Sequence, residues 1–232
     1  MKTIGLIGGT GWISSAEYYR LINEGINRKL GGQEFARCIL YSLNYGDIER
    51  YSAEKNEDAI FRMMQDAAFH LVSSGAEVLA ICANTAHMYY DSLNASVDRP
   101  ILHIAAATAE NIVARNINKV GLLGTLKTME GQFYQEVLGK FGIQTLVPKK
   151  EERTFINDVI FNELFFADFQ EESRNKFLQI IQRLVDRGAE GIILGCTEIP
   201  LLIQQEHTET PLFNTLEIHA EALVDFAVSE KK

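Results

Sequence analysis

The chain has 232 residues, 22 Lys+Arg against 31 Asp+Glu, a net charge of −9 and an apolar fraction of 47%. Those proportions exclude a collagen-like or wholly disordered polymer and leave room for one large domain or two small ones. The negative charge repels phosphate backbones, so nucleic acid is not expected as a partner. No apolar run reaches the roughly 18 residues of a membrane span, and Met1-Lys2-Thr3 runs into a strand-like segment without a signal-peptide pattern. A cytoplasmic protein with no membrane partner is the expectation.

In chain order, Ile4–Ile7 reads as a buried strand. Ser14–Leu30 follows as a helix with a Ser start and a Gly31-Gly32 stop. Cys38–Leu43 is a second strand. Glu57–Ser74 is a helix that sets Ile60, Met64, Ala67, Ala68 and Leu71 on one face. Val78–Ile81 is a third strand, and a helix through Asn111, Ile112 and Ala114 precedes a fourth at Val120–Leu123. Tyr134 lies in the next helix, ahead of a strand at Ile143–Val147. Phe155–Phe166 and Arg174–Arg187 read as helices, Gly191–Leu194 as a strand and Leu216–Val228 as the closing helix. This alternation predicts an α/β fold with helices on both faces of parallel sheets.

The chain is also written twice. Val120-Gly121-Leu122-Leu123-Gly124 repeats Ile4-Gly5-Leu6-Ile7-Gly8 at a shift of 116, which also carries Tyr18 onto Tyr134. Gly188-Ala189-Glu190 repeats Gly75-Ala76-Glu77 at a shift of 113. The expectation is two pseudo-symmetric Rossmann-like domains, residues 1–100 with 212–232 and residues 101–211, with the site in the cleft between them. Ligands of such sheets bind beyond the carboxyl ends of the strands.

Two turns at such ends hold the reactive residues: Cys82-Ala83-Asn84-Thr85 and Gly195-Cys196-Thr197-Glu198. Cys38, Cys82 and Cys196 are too few and scattered for a disulfide framework or a zinc site, and no metal site is expected. A thiol where a helix begins sits among unpaired N–H groups, which favour its thiolate and also attract a carboxylate. Thr85 and Thr197 add hydroxyls and Asn84 an amide, a set suited to a small zwitterion or carboxylic acid.

Four segments, Gly5–Trp12, Ala83–His87, Leu122–Thr125 and Gly195–Ile199, resemble the aspartate/glutamate racemase family through nearly the whole chain. The resemblance implies a two-domain α/β protein, usually a homodimer, that inverts the α-carbon of an amino acid without pyridoxal phosphate or other cofactor. It implies two cysteines, one removing the α-proton as thiolate and one returning a proton to the other face. The first cysteine of that pattern directly precedes Asn-Thr; here Ala83 holds the place and Cys82 is one residue earlier. The shift of 113 likewise sets Cys196 against Ala83, and a one-residue step at a strand end turns a side chain to the other face. Cys196 is therefore the expected working thiol, Cys82 a second candidate or a core residue, and Cys38 core.

Among the other candidates, His87 would orient the site or assist a proton transfer. Glu198 is a polar anchor or a helix cap. Thr10 and Thr125 would donate to a carboxylate and Trp12 would wall the pocket. Arg50, in a turn Glu49-Arg50-Tyr51, is the candidate for a substrate side-chain carboxylate. The resemblance implies a Lys in the stretch Asn162–Asp168 of aspartate-specific members, where this chain has Phe165 and Phe166. The competing readings are a single-thiol decarboxylase of the same superfamily and a non-catalytic amino-acid or dicarboxylate binder. Gly8-Gly9-Thr10-Gly11 lacks the spacing of a nucleotide-binding loop.

Overall fold

A computed structural model describes residues 1–229. The chain divides into two compact units, Met1–His103 with His219–Lys232, and Ile104–Ile218. The return to the first unit therefore falls between Ile218 and His219, and not at residue 212.

The first unit opens with β1 (Ile4–Gly8), α1 (Trp12–Leu30), β2 (Cys38–Ser42), α2 (Tyr45–Ala53), α3 (Glu57–Ser73) and β3 (Val78–Ile81). A 3-10 turn (Thr85–Tyr89), α4 (Tyr90–Ser96) and β4 (Ile101–Leu102) complete its sheet, which is parallel in the order β2-β1-β3-β4. The second unit runs α5 (Ile104–Ala114), β5 (Lys119–Gly124), α6 (Leu126–Glu130), α7 (Gln132–Lys140), β6 (Gln144–Leu146) and α8 (Lys150–Asn162). After a 3-10 turn (Leu164–Phe166) come α9 (Glu171–Asp186), β7 (Gly191–Gly195), α10 (Ile199–Leu202) and β8 (Leu212–Asn214). Its sheet is parallel in the order β6-β5-β7-β8. The last helix, α11 (Thr215–Val228), begins in this unit and ends in the first.

The two sheets share one topology, and their registers agree with the sequence repeat. Ile4 pairs with Val78 and Ile7 with Ile81, while Val120 pairs with Gly191 and Leu123 with Leu194. The repeated glycine has a packing cause. A Cβ on Gly5 would lie 2.6 Å from Leu79 Cδ2, and one on Gly121 2.7 Å from Ile192 Cδ1 and 2.8 Å from Leu184 Cδ1. Each leading strand thus gives up a side chain where the neighbouring strand and a covering helix close over it.

Several sequence expectations are corrected. α1 starts at Trp12, with Gly11 as a cap that offers no side chain, so Ser14 and Ser15 lie inside the first turn. Arg50 belongs to the helix α2 and not to a turn. The helix around Tyr134 is broken in two, because Gly131 stands between α6 and α7 in extended conformation. α8 runs five residues earlier than the Phe155 start and ends at Asn162, where Glu163 leaves the helix and Ala167 turns left-handed at φ 57°.

Candidate active site

In the first unit, β1 ends in a turn that only glycine can make. Gly9 has φ 82°, and a Cβ there would fall on the main chain of Leu43. The Gly9 N–H donates to Ser15 Oγ (2.9 Å), whose own hydrogen goes to the Gly11 carbonyl (3.1 Å). That pair ties the turn to the first turn of α1. Thr10 Oγ1 is buried there and has no hydrogen-bond partner, the kind of orphaned hydroxyl that a ligand oxygen would satisfy. Trp12 is the first residue of α1 and is 72% exposed.

At the neighbouring strand end, the Cys82 N–H donates to the Ile7 carbonyl (2.9 Å) and its side chain is fully buried. Burial pushes the Cys82 thiol well up, with Cys38 adding to the effect. Asn84 is buried and precedes the 3-10 turn that Thr85 opens. His87 is buried too, its Nδ1 2.8 Å from the Ala83 carbonyl oxygen. Burial first, and then His103 and His219, hold its imidazole well below the usual range, so it is neutral. Its ring centroid is 4.7 Å from that of His103 and 5.9 Å from that of His219. Arg50 is 56% exposed, pairs with Asp47 at 2.8 Å and lies over the Tyr51 ring at 5.1 Å.

In the second unit, Thr125 caps α6 by accepting from the Thr128 N–H at 3.3 Å, and the Leu126 N–H donates to Asn157 Oδ1 at 3.0 Å. Asn157 comes from α8, and nothing in its helical sequence context signals this contact. Gly124 and Gly195 bring the ends of β5 and β7 together: a Cβ on Gly124 would lie 2.8 Å from the Gly195 oxygen. Cys196 follows at once, 7% exposed. Its Sγ–H donates to Glu198 Oε2 at 2.9 Å, and the Thr197 hydroxyl donates to the same oxygen at 3.0 Å. Glu198 takes the cap position of α10, but its side chain makes no hydrogen bond to that helix.

The thiolate expected at this helix start is therefore not the resting form. Burial, and after it the Glu198 charge and hydrogen bond, push the Cys196 thiol well up. The backbone N–H groups of Glu198 and Thr197 pull the other way without prevailing. The stretch Leu164–Phe166 lies near α10: Leu164 shares the apolar cluster of Cys196 and Ile199, and Phe166 is exposed. Among the described residues, no group of three His, Cys, Asp or Glu side chains could hold a metal ion, and no helix is long and apolar enough to cross a membrane.

Sequence and structure comparisons bear on the family and the fold. A family model described as Asp/Glu/hydantoin racemase matches residues 7–223. The chain belongs to that family. It is 23% identical over 221 residues to a broad specificity amino-acid racemase of Bacillus subtilis, RacX, covering 91% of this chain and 92% of that one. It resembles the crystal structure of a Yersinia pestis protein provisionally named an Asp/Glu racemase, with a TM-score of 0.93 and 41% identity over 99% of this chain and all (100%) of the other. An aspartate racemase homologue from Pyrococcus horikoshii OT3 gives a TM-score of 0.85 and 35% identity over the same 99% and 100%. Within the racemase family fold, the turns after β3 and β7 are equivalent by register. Cys82 corresponds to Gly195, and Ala83 to Cys196.

Proposed function

We propose that the protein is an amino-acid racemase that works without pyridoxal phosphate or metal, with Cys196 as a proton-transfer group. Aspartate and glutamate are the first substrates to test. The observation that carries this reading is the Cys196 thiol, set by Gly195 at a strand end and hydrogen-bonded to a buried carboxylate, in a chain of this family.

An amino-acid α-proton is very weakly acidic, so its removal requires fixed donors to stabilise the enediolate-like carboxylate and exclusion of water from the base. The buried, orphaned hydroxyl of Thr10 is one such donor, and the Asn84-Thr85 turn beside it offers others. Neither Arg50, already paired with Asp47, nor the Lys-free stretch Asn162–Asp168 argues for a strictly acidic side chain. Other amino acids therefore belong in the same assay. Ala83, standing where the second unit has its thiol, supports single-thiol chemistry as the alternative, a decarboxylase that protonates a carbanion from one face.

The deciding experiment incubates L- and D-amino acids with the protein in deuterated water and follows deuterium at the α-carbon, optical rotation and CO₂. Exchange is expected from at least one enantiomer, lost in Cys196→Ser and retained after dialysis against a chelator. Undiminished exchange by Cys196→Ser would remove the thiol from the mechanism, and CO₂ release without exchange would favour the decarboxylase.

A further inference from the structure

The chain leaves the first unit after His103 and re-enters it at His219. Both rings pack on the buried His87, with centroids 4.7 and 5.9 Å from its own. Tyr90 of α4 sets its ring 4.4 Å from that of His103 and 6.2 Å from that of His87. His219 Nδ1 lies 2.8 Å from the Tyr18 hydroxyl of α1, and its Nε2 3.0 Å from the Leu102 carbonyl oxygen. Burial keeps His87 and His219 neutral, so each ring has one N–H to give. A carbonyl can only accept, so the His219 hydrogen is on Nε2 and Tyr18 donates to Nδ1. Two carbonyls face the His87 ring, that of Ala83, 2.8 Å from Nδ1, and that of Leu102. One hydrogen cannot serve both. Leu102 is already supplied by His219, so the His87 hydrogen goes to Ala83.

That choice reaches the turn after β3. The carbonyl and the N–H of a trans peptide point in opposite directions. With the Ala83 carbonyl turned onto His87, the Asn84 N–H points out of the start of the turn, as the first donors of a helix do. We propose that His219 is a positioning residue of this turn: by supplying Leu102 it fixes the His87 hydrogen on Nδ1, and so holds the Ala83-Asn84 peptide with its N–H presented to a ligand carboxylate. Without His219, Leu102 competes for the His87 hydrogen. The Ala83 carbonyl then loses its anchor, and the Asn84 donor its fixed direction. His219 acts through Leu102 and His87 and never meets the ligand. The effect on substrate rests on the racemase reading, whereas the hydrogen positions do not.

The test reads the ring nitrogens of the five histidines by 15N–1H spectroscopy at neutral pH. In the parent, His219 is expected as the Nε2–H form and His87 as the Nδ1–H form; either ring in the other form overturns the proposal, with no variant needed. His219→Phe keeps a ring in the space and gives Leu102 no hydrogen. His87 is then expected to shift toward the Nε2–H form. KM for α-carbon exchange should rise by about tenfold, the upper end of one hydrogen bond, with kcat changed less. Tyr18→Phe removes the other bond of His219 and leaves Leu102 supplied, so it should lower stability without moving the His87 hydrogen or KM. A merely structural His219 would leave His87 unshifted in His219→Phe, or let Tyr18→Phe act in the same way; either result overturns the proposal. A shifted His87 with unchanged KM would overturn the link to the turn. Should His219→Phe fail to fold, seen by circular dichroism, the parent spectrum and Tyr18→Phe decide. If no amino acid undergoes exchange in the parent, the racemase reading fails on its own. The Asn84 amide signal then replaces KM, expected to move in His219→Phe and to stay in Tyr18→Phe, and the reverse overturns the proposal.

Discussion

Acidification is expected to destabilise this protein through His219, and the size of the effect follows from its surroundings. Its ring is fully buried, with Nδ1 2.8 Å from the Tyr18 hydroxyl and Nε2 3.0 Å from the Leu102 carbonyl. A neutral ring satisfies both: Tyr18 donates to Nδ1, and Nε2–H donates to Leu102. Burial pushes the imidazole down from 6.5 to about 4, and His103 adds to the effect against the Leu102 carbonyl. The folded form thus binds a proton more weakly than the unfolded chain. The stabilising contribution is complete above about pH 6.5 and is lost as pH falls toward 4, a total of about 3 kcal/mol. By about pH 5 the loss is roughly 2 kcal/mol. His87 is lowered in the same sense and adds to it; His103 and Tyr90 are the other rings of the cluster. His219→Gln should cost about 1–3 kcal/mol at neutral pH, because Tyr18 and Leu102 lose their partner. Its further loss between neutral pH and about pH 5 should be smaller than the parent's by roughly 2 kcal/mol. Urea unfolding followed by circular dichroism measures both, since Trp12 is too exposed to report by fluorescence. The reasoning is refuted if parent and variant lose the same stability on acidification.

Gly121→Ala drives a methyl group into Ile192 and Leu184 and should cost about 1–3 kcal/mol, read as a lower thermal midpoint; an unchanged midpoint would show that α9 can move aside. Ala83→Cys should speed exchange of the slowly exchanged enantiomer, and Cys82→Ser should slow exchange less than Cys196→Ser does. Equal inactivity of the two serine variants would mean that the register equivalence misplaces the first-unit thiol. Arg50→Ala should leave the thermal midpoint nearly unchanged, as for other exposed ion pairs. If Arg50 holds a substrate side chain, the variant should raise KM for dicarboxylic but not for neutral amino acids. An unchanged KM ratio would take Arg50 out of that role.

What the sequence made legible was what repetition and burial write plainly. The β1 and β5 strands, the glycines within them and the offset between Ala83 and Cys196 could all be read from two shifts. The edge strands β4 and β8 have two and three residues, too few for any periodicity, and they are defined only by the strand each pairs with. α2 has no buried residue, so it leaves no apolar stripe to detect. At Cys196 the helix start was visible, but the outcome depended on the rotamer of Glu198. That side chain decides whether the thiol meets N–H groups alone or a buried negative charge as well.

α2 has a consequence of its own. Its nine residues send no side chain into the core, and it leaves the carboxyl end of β2, the same end of the sheet as the turns after β1 and β3. An element with no fully buried residue can be rewritten with less loss of folding free energy than one that fills the core. Residues 45–53 are therefore the segment to randomise in seeking variants of altered side-chain preference. A library there would sample new contacts beside the strand ends while the glycines and apolar residues that hold the sheet stay untouched.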